Sequence, residues 1–253
     1  MLPNLLIIGA EKSATTTLCN HLNKHPDICF SSTKEVHFFN DLKSNGSYNS
    51  TYGDKGVQWY ESFFSECCKA SIIGEATPMY LCDKEAPKRI SKILPKVRLL
   101  VILRNPIDRA YSHYWMAKGK GEEEEDFARL YKVKGCAIFE RGLYSVQIQN
   151  YLEYFSLDRM HLILYEDYIS APNETLSEVF NFLDVDDSFS SEKLDRLNVS
   201  SQVRFVVLYK IIRFLIRFFR HSSNLSFVIN FLKKIKIVNA IIRLNTKKRP
   251  YPE

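Results

Sequence analysis

The sequence predicts an α/β domain built on a parallel sheet, and three observations carry that expectation. Short continuous apolar runs recur through the first three quarters of the chain, and segments with helical apolar spacing separate them. A glycine closes the first run just where a loop and a helix begin. That run, Leu5-Leu6-Ile7-Ile8-Gly9, has no polar side chain, as suits a strand covered on both faces. Ser71–Glu75, Arg98–Leu103 and Met160–Tyr165 read as further strands of a sheet of about five. Helical patterns cover Thr15–Lys24, Ala86–Ile93, Pro106–Lys118, Gly142–Phe155 and Pro172–Leu183. Pro106 and Pro172 suit the first turn of a helix, where a missing N–H is harmless. Ser44–Asp54 and Lys118–Asp126 read as surface loops, the acidic run of the second being a solvated helix start.

A chain of 253 residues, 45% hydrophobic and 25% charged, is expected to fold as one ordered domain over 1–253. Within it, 1–202 forms the α/β core and 203–253 a basic helical C-terminal segment. That segment holds 12 of the 35 Lys and Arg but only one of the 29 acids, so the net charge of +6 says little about the body. Lys210, Arg213, Arg217 and Arg220 recur at helical spacing among apolar residues. Such regular charge excludes a membrane span. The favoured reading is a helix packed on the domain; peripheral contact with an anionic membrane is the second. The six cysteines lack metal-ligand spacing, which points to reduced thiols, and no secretory leader pattern opens the chain. A cytoplasmic location follows, with membrane association through the basic helices as the variant. No nucleic-acid partner is expected.

Chemistry concentrates in Gly9-Ala10-Glu11-Lys12-Ser13-Ala14-Thr15-Thr16-Thr17. A strand, a tight loop and a helix start aim backbone N–H groups and the positive helix end at one anion. Lys12 adds a point charge; Ser13, Thr15, Thr16 and Thr17 add neutral donors. The spacing is not that of a Walker A loop, because Lys12 follows Gly9 by three residues and no second glycine precedes it. A second stretch runs Leu103-Arg104-Asn105-Pro106-Ile107-Asp108-Arg109-Ala110-Tyr111-Ser112. Arg104 ends a strand at the carboxyl edge of the sheet, and Ser112 lies two turns into the helix. The pair suits a second, separate phosphate.

Together these segments resemble the sulfotransferase family. Its first motif binds the 5′-phosphosulfate of the donor PAPS (3′-phosphoadenosine 5′-phosphosulfate), and its second binds the 3′-phosphate. Lys34-Glu35-Val36-His37-Phe38-Phe39-Asn40, preceded by His25-Pro26-Asp27-Ile28, is similar to the heparan-sulfate-type branch (glycan N- and O-sulfotransferases) and its bacterial relatives. Gly74-Glu75-Ala76-Thr77-Pro78-Met79-Tyr80, Arg141-Gly142-Leu143-Tyr144 and Tyr165-Glu166-Asp167 also fall in the family's order. The resemblance runs from Leu5 to Leu183.

It implies the P-loop-containing nucleoside-triphosphate-hydrolase-like sulfotransferase fold and transfer of a sulfuryl group from PAPS, leaving PAP, to a hydroxyl or amine. A small-molecule or glycan acceptor is implied, a carbohydrate or glycoconjugate first. Lys12 would stabilise the leaving phosphate, and Lys12 to Thr17, Ala14 included, would cradle the donor with Arg104, Ser112 and Tyr144. Glu35 matches the family's catalytic base; partial burial is expected to raise its pKa toward the working pH. His37 is the rival base, ranked second because a histidine in an aromatic, strand-like context is more often structural. No metal is expected. Asn245–Glu253 resembles the family's Lys-Gly-Arg-type donor loop, with Lys247 as the leading lysine and Arg249 beside it. The chain stops before the family's final helix, so truncation with weakened donor binding is expected. Ala14 stands where the family has glycine, and Ala76 where glycan N- and 3-O-sulfotransferases carry a lysine. Two readings compete: a catalytically impaired binding protein of the same fold and, less favoured, a P-loop kinase.

Overall fold

A computed structural model describes residues 1–41, 51–120, 123 and 125–189, together with the backbone of 201–203 and 246–248. Five parallel strands form the sheet: β1 (Leu5–Gly9), β2 (Ile28–Phe30), β3 (Ile72–Ala76), β4 (Arg98–Leu103) and β5 (Met160–Leu164), in the order β2-β3-β1-β4-β5. Helices α1 (Thr15–Leu22), α2 (Thr51–Asp54), α3 (Gly56–Glu61), α4 (Ala86–Ile93) and α5 (Pro106–Lys120) follow in chain order. After them come α6 (Phe127–Leu130), α7 (Ala137–Glu140), α8 (Tyr144–Leu152), α9 (Tyr165–Ser170) and α10 (Pro172–Leu183). The two expected helices begun by Pro106 and Pro172 start at those residues.

Alternation along the strands divides the core into two layers. Leu6, Ile8, Leu99 and Val101 face Tyr80, Ala86, Ile90 and Tyr151, while Leu5, Ile7, Leu100 and Ile102 face Leu18, Leu22, Val179 and Phe180. Each fully buried Leu or Ile contributes about 1.5–3 kcal/mol, so the central strands are the rigid floor of the molecule. All five residues of β1 are buried, as its unbroken apolar run predicts. At Gly74 a Cβ would come within 2.6 Å of the Phe30 ring, so glycine there lets β2 approach β3.

Several expectations need correction. The fifth strand is β2, a three-residue edge strand too short to leave a periodic signal. Lys34–Asn40 is not strand-like: it is an irregular loop in which Glu35 and His37 have φ of 61° and 56°. Cys29 and Cys67 form a disulfide, whereas Cys19, Cys68, Cys82 and Cys136 are free. The expectation of uniformly reduced thiols therefore fails, and with it the argument for a cytoplasmic location drawn from them. Ser44–Ser50 of the first loop, and Gly121, Glu122 and Glu124 of the second, lie outside the described residues, whereas Thr51–Asp54 is helical.

The chain divides into two compact units, Met1–Ala110 with Gly135–Asn198, and Tyr111–Lys134 with Val199–Glu253. The first contains the five-stranded sheet. In the second, strands β6 (Ser201–Val203) and β7 (Thr246–Lys248) pair antiparallel, Gln202 opposite Lys247. Lys247 is thus in a strand, where a loop was expected, and Val203 is in a strand rather than opening a helix. The basic helix expected over the following residues lies outside the described residues. No helix among the described residues is long and apolar enough to cross a membrane.

Candidate functional site

The strand order places the site. From β1 the chain leaves toward β2 and β3, and from β4 it leaves toward β5, so the crevice between their carboxyl ends is a topological switch point. The register of β1 against β4 shifts between Ile7 and Gly9, which turns the chain out of the sheet at the loop. A Cβ on Gly9 would sit 2.6 Å from Leu81, so only glycine passes there. Lys12 and Ala14 then have φ of 72° and 63°. Ala14 thus occupies a left-handed position that favours glycine. Ser13 is fully buried, and its Oγ has no hydrogen-bond partner. Thr15, Thr16 and Thr17 form the first turn of α1, whose N-terminus carries no side-chain cap. An uncapped helix start behind a buried, unsatisfied hydroxyl is a ready anion site.

Across the crevice, Arg104 donates from Nη1 to the carbonyl of Lys12 at 3.3 Å, and its guanidinium lies over the Tyr165 ring at 4.7 Å. Its Nε is buried without a partner. Tyr144, at the start of α8, faces Ser13 Oγ and the Arg104 backbone closely enough to feel both, yet no contact of its hydroxyl reaches hydrogen-bond geometry. Burial pushes the Tyr144 phenol up, and the nearby Arg109 charge opposes that shift. Four expected donor residues, Lys12, Ser13, Arg104 and Tyr144, are therefore neighbours.

Sequence reasoning placed Arg109, Glu11 and Arg141 within motifs but gave them no role. Arg109 is fully buried on α5; its Nη2 donates to the Ile138 carbonyl, while Nε and Nη1 lack partners. Burial pushes its pKa down, and Tyr144 and Glu11 oppose that shift. Arg141 donates to Glu11 Oε2 at 2.6 Å, with side-chain exposures of 10% and 13%. The available signal was an arginine one helical turn after Pro106, and an acid beside Lys12 within an otherwise neutral loop.

The second wall is the loop after β2. Lys34 Nζ pairs with Glu35 Oε1, and His37 Nε2 lies 3.7 Å from Glu35 Oε2. His37 Nδ1 is 3.2 Å from Asn40 Oδ1. Glu35 keeps 38% of its side chain exposed, so it is reachable from solvent. The His37 imidazole beside it, with Lys34 adding to the effect, holds the Glu35 carboxyl at about 2, against the upward push of burial. The expectation that burial raises it is overturned, because two cationic or donor neighbours outweigh partial desolvation.

The other expected donor residues, Ser112, Lys247 and Arg249, fall in the second unit. Ser112 is half-buried on α5, in the second unit. Lys247 is placed by its backbone in β7, and Arg249 lies outside the described residues. Among the described residues, no three or more His, Cys, Asp or Glu side chains gather as a metal site.

An α/β sheet with a lysine-bearing phosphate loop, a cationic crevice and an adjoining carboxylate defines a P-loop-like group-transfer scaffold. Residues 2–204 match the family described as Sulfotransferase domain, and the chain belongs to that family. Heparan sulfate glucosamine 3-O-sulfotransferase 3B1 of Mus musculus is 31% identical over 190 residues, covering 72% of this chain and 46% of that protein. The membrane-associated sulfotransferase kil1 of Dictyostelium discoideum is 25% identical over 275 residues, covering 73% and 56%. The chain thus spans about half the length of these relatives. Among solved structures, a sulfotransferase from Alicyclobacillus acidocaldarius has a TM-score of 0.68 at 24% identity, covering 89% of this chain and 96% of that one. Mouse sulfotransferase SULT7A1 complexed with PAP has a TM-score of 0.52 at 16% identity, covering 76% and 62%. At these identities the structural likeness establishes the fold.

Proposed function

We propose that the chain transfers a sulfuryl group from PAPS to a hydroxyl or amine of a carbohydrate or glycoconjugate. The observation that carries this reading is the set of buried, unpartnered donors on Ser13, Arg104, Arg109 and Tyr144 around the Lys12 loop. Buried donors without partners are costly, and a polyanion such as the PAPS phosphosulfate would satisfy them. Family membership and the glycan-directed names of the relatives support the reaction class and the acceptor class.

Sulfuryl transfer, like phosphoryl transfer, depends on positioning and on meeting charge as it develops. Lys12 would offset the negative charge that grows on the leaving phosphate oxygen as its bond to sulfur breaks. The new bond forms from the acceptor oxygen or nitrogen, whose proton passes to Glu35. Glu35 is ionised at neutral pH and so able to accept, although weakly basic until the acceptor's own acidity rises with bond formation. His37 and Lys34 would hold the carboxylate in place and share its charge.

Thermal denaturation with PAP tests the donor side. PAP without magnesium is expected to raise the melting temperature, with ATP and magnesium having little effect. Lys12→Ala should abolish transfer from labelled PAPS to a glycan panel. Equal stabilisation by both nucleotides would reject the reading, and PAP binding without transfer to any acceptor would favour an impaired binding protein.

A further inference from the structure

Strand β3 carries a carboxylate away from solvent. Glu75 is fully buried, packed where Tyr60, Thr77 and Tyr80 are also fully buried. An isolated buried carboxylate is strongly unfavourable, so its partners matter. Tyr60 donates to Oε2 at 2.5 Å, Tyr80 to Oε1 at 2.9 Å and Oε2 at 3.1 Å, and Thr77 Oγ1 to Oε1. Burial raises the Glu75 pKa, and the three hydroxyl donors pull it back.

Two of these hydroxyls have a second task. Tyr80 Oη accepts the N–H of Phe38 at 3.0 Å, and Thr77 Oγ1 lies 3.5 Å from the nitrogen of His37. The N–H of Glu35 donates to the carbonyl of Ala76, the residue after Glu75, at 3.1 Å. The Tyr60 ring stacks on Phe38 at 4.5 Å and 8°. The amides of residues 35, 37 and 38 are thus fixed from the end of β3, in a segment where Glu35 and His37 have φ of 61° and 56°. Side chains enter that conformation only where their surroundings impose it.

The direction of the hydrogen bonds identifies the organiser. Thr77 and Tyr80 turn lone pairs toward amide N–H groups, and each gives its own proton to the Glu75 oxygen beside it. A carboxylate, which only accepts, permits this for all three hydroxyls at once. A protonated carboxyl would have to donate to one of them and turn its hydrogen away.

We propose that Glu75 is a positioning residue for transfer: its carboxylate orients the Thr77 and Tyr80 hydroxyls, and these hold the loop that presents Glu35 and His37. This rests on Glu35 and His37 forming the acid–base wall of the site. A Glu75→Gln variant keeps the shape but turns one acceptor oxygen into an NH2 donor that faces two hydroxyls which also donate, Tyr80 with either Tyr60 or Thr77.

The test measures Glu75→Gln, Thr77→Val and Thr77→Ser with PAPS as donor and heparan sulfate as probe acceptor. Glu75→Gln and Thr77→Val should lower kcat about 10²-fold, the order produced by small misplacements of reacting groups, with KM for PAPS and the PAP-induced thermal shift unchanged. Thr77→Ser, which retains the hydroxyl, should recover most of the rate. Amide exchange at His37 and Phe38 gives a readout independent of turnover: it should quicken in Glu75→Gln and Thr77→Val but not in Thr77→Ser. Unchanged exchange, wild-type kcat in both variants, or a loss expressed in KM for PAPS would overturn the proposal. If Glu75→Gln does not fold, the Thr77 pair decides. If Glu35→Gln keeps full activity while the exchange pattern appears as expected, the base assignment fails and the positioning of the loop stands.

Discussion

Replacing either member of the Glu11–Arg141 pair should destabilise the protein strongly, because neither side chain can recover its lost partner from water. The two retain only 13% and 10% of their surface and meet at 2.6 Å. Removing one partner of a buried pair costs about 3–5 kcal/mol, since an uncompensated charge remains. The two partial exposures place this pair near the lower end, about 3 kcal/mol. For a chain of this size each kcal/mol moves the melting temperature by roughly 2–4 °C, so Glu11→Ala or Arg141→Ala should each fall by about 6–12 °C. Glu11 should be the worse loss, because buried Arg109 interacts with both members and would then stand beside Arg141 without the intervening anion. The double variant Glu11→Leu/Arg141→Met should recover much of the loss, because an apolar pair leaves no buried charge. Melting followed by circular dichroism, arranged as a double-mutant cycle, measures this directly. Single-variant shifts below about 2 °C, or a double variant equal to the sum of the singles, would refute the reasoning.

Two further predictions concern pH and redox state. Glu35 is held down from 4.5 to about 2 by His37 and Lys34, so its contribution to stability is complete above pH 4.5 and is lost as pH falls toward 2. With Glu35 as base, kcat/KM should therefore show no acid limb between pH 5 and 8; an acid limb in that range that disappears in His37→Asn would make His37 the base. The Cys29–Cys67 disulfide closes a separation of 38 residues and should contribute about 2–4 kcal/mol, so dithiothreitol should lower the melting temperature. Alkylation under denaturing conditions should count four thiols without reductant; finding all six would reject the disulfide.

The legible parts of the fold were those where one physical demand acts on consecutive residues. β1 and β4 are buried on both faces, and their unbroken apolar runs announce this; Pro106 and Pro172 mark helix starts because proline's missing N–H is tolerated only there. The phosphate loop was legible for a similar reason, since strand, loop and helix start are contiguous in sequence. What escaped is non-local. Arg109 gains its meaning from Tyr144 and Glu11, distant in sequence, and Cys29 on β2 meets Cys67, 38 residues on, in the turn Ser62–Cys67 that precedes β3. The pKa of Glu35 went the wrong way for the same reason. Exposure could be guessed from residue type, but the His37 and Lys34 contacts depend on a loop whose two left-handed residues have no sequence signature in Lys34-Glu35-Val36-His37.

The sheet order also separates the two tasks of the site. β1 lies between β3 and β4, so the Lys12 loop has the β4 edge on one side and the β3 edge on the other. The β4 side supplies Arg104 and Arg109, cations with unpartnered N–H groups, suited to holding a polyanion. The β3 side supplies the backbone and hydroxyl anchors of the Glu35 loop, together with Arg89, whose guanidinium binds Asp41 through both nitrogens at 2.7 and 2.8 Å and the Phe39 carbonyl at 3.1 Å. Fixed positive charge on one wall and a fixed carboxylate on the other would draw each other together if either were mobile. The buried Glu75 network and the Arg89–Asp41 clamp oppose that collapse on the β3 side, as the Glu11–Arg141 pair does beside Lys12. On the proposed reading Lys12 would serve the leaving group while Glu35 would stay available to the acceptor, its loop being anchored from the β3 side.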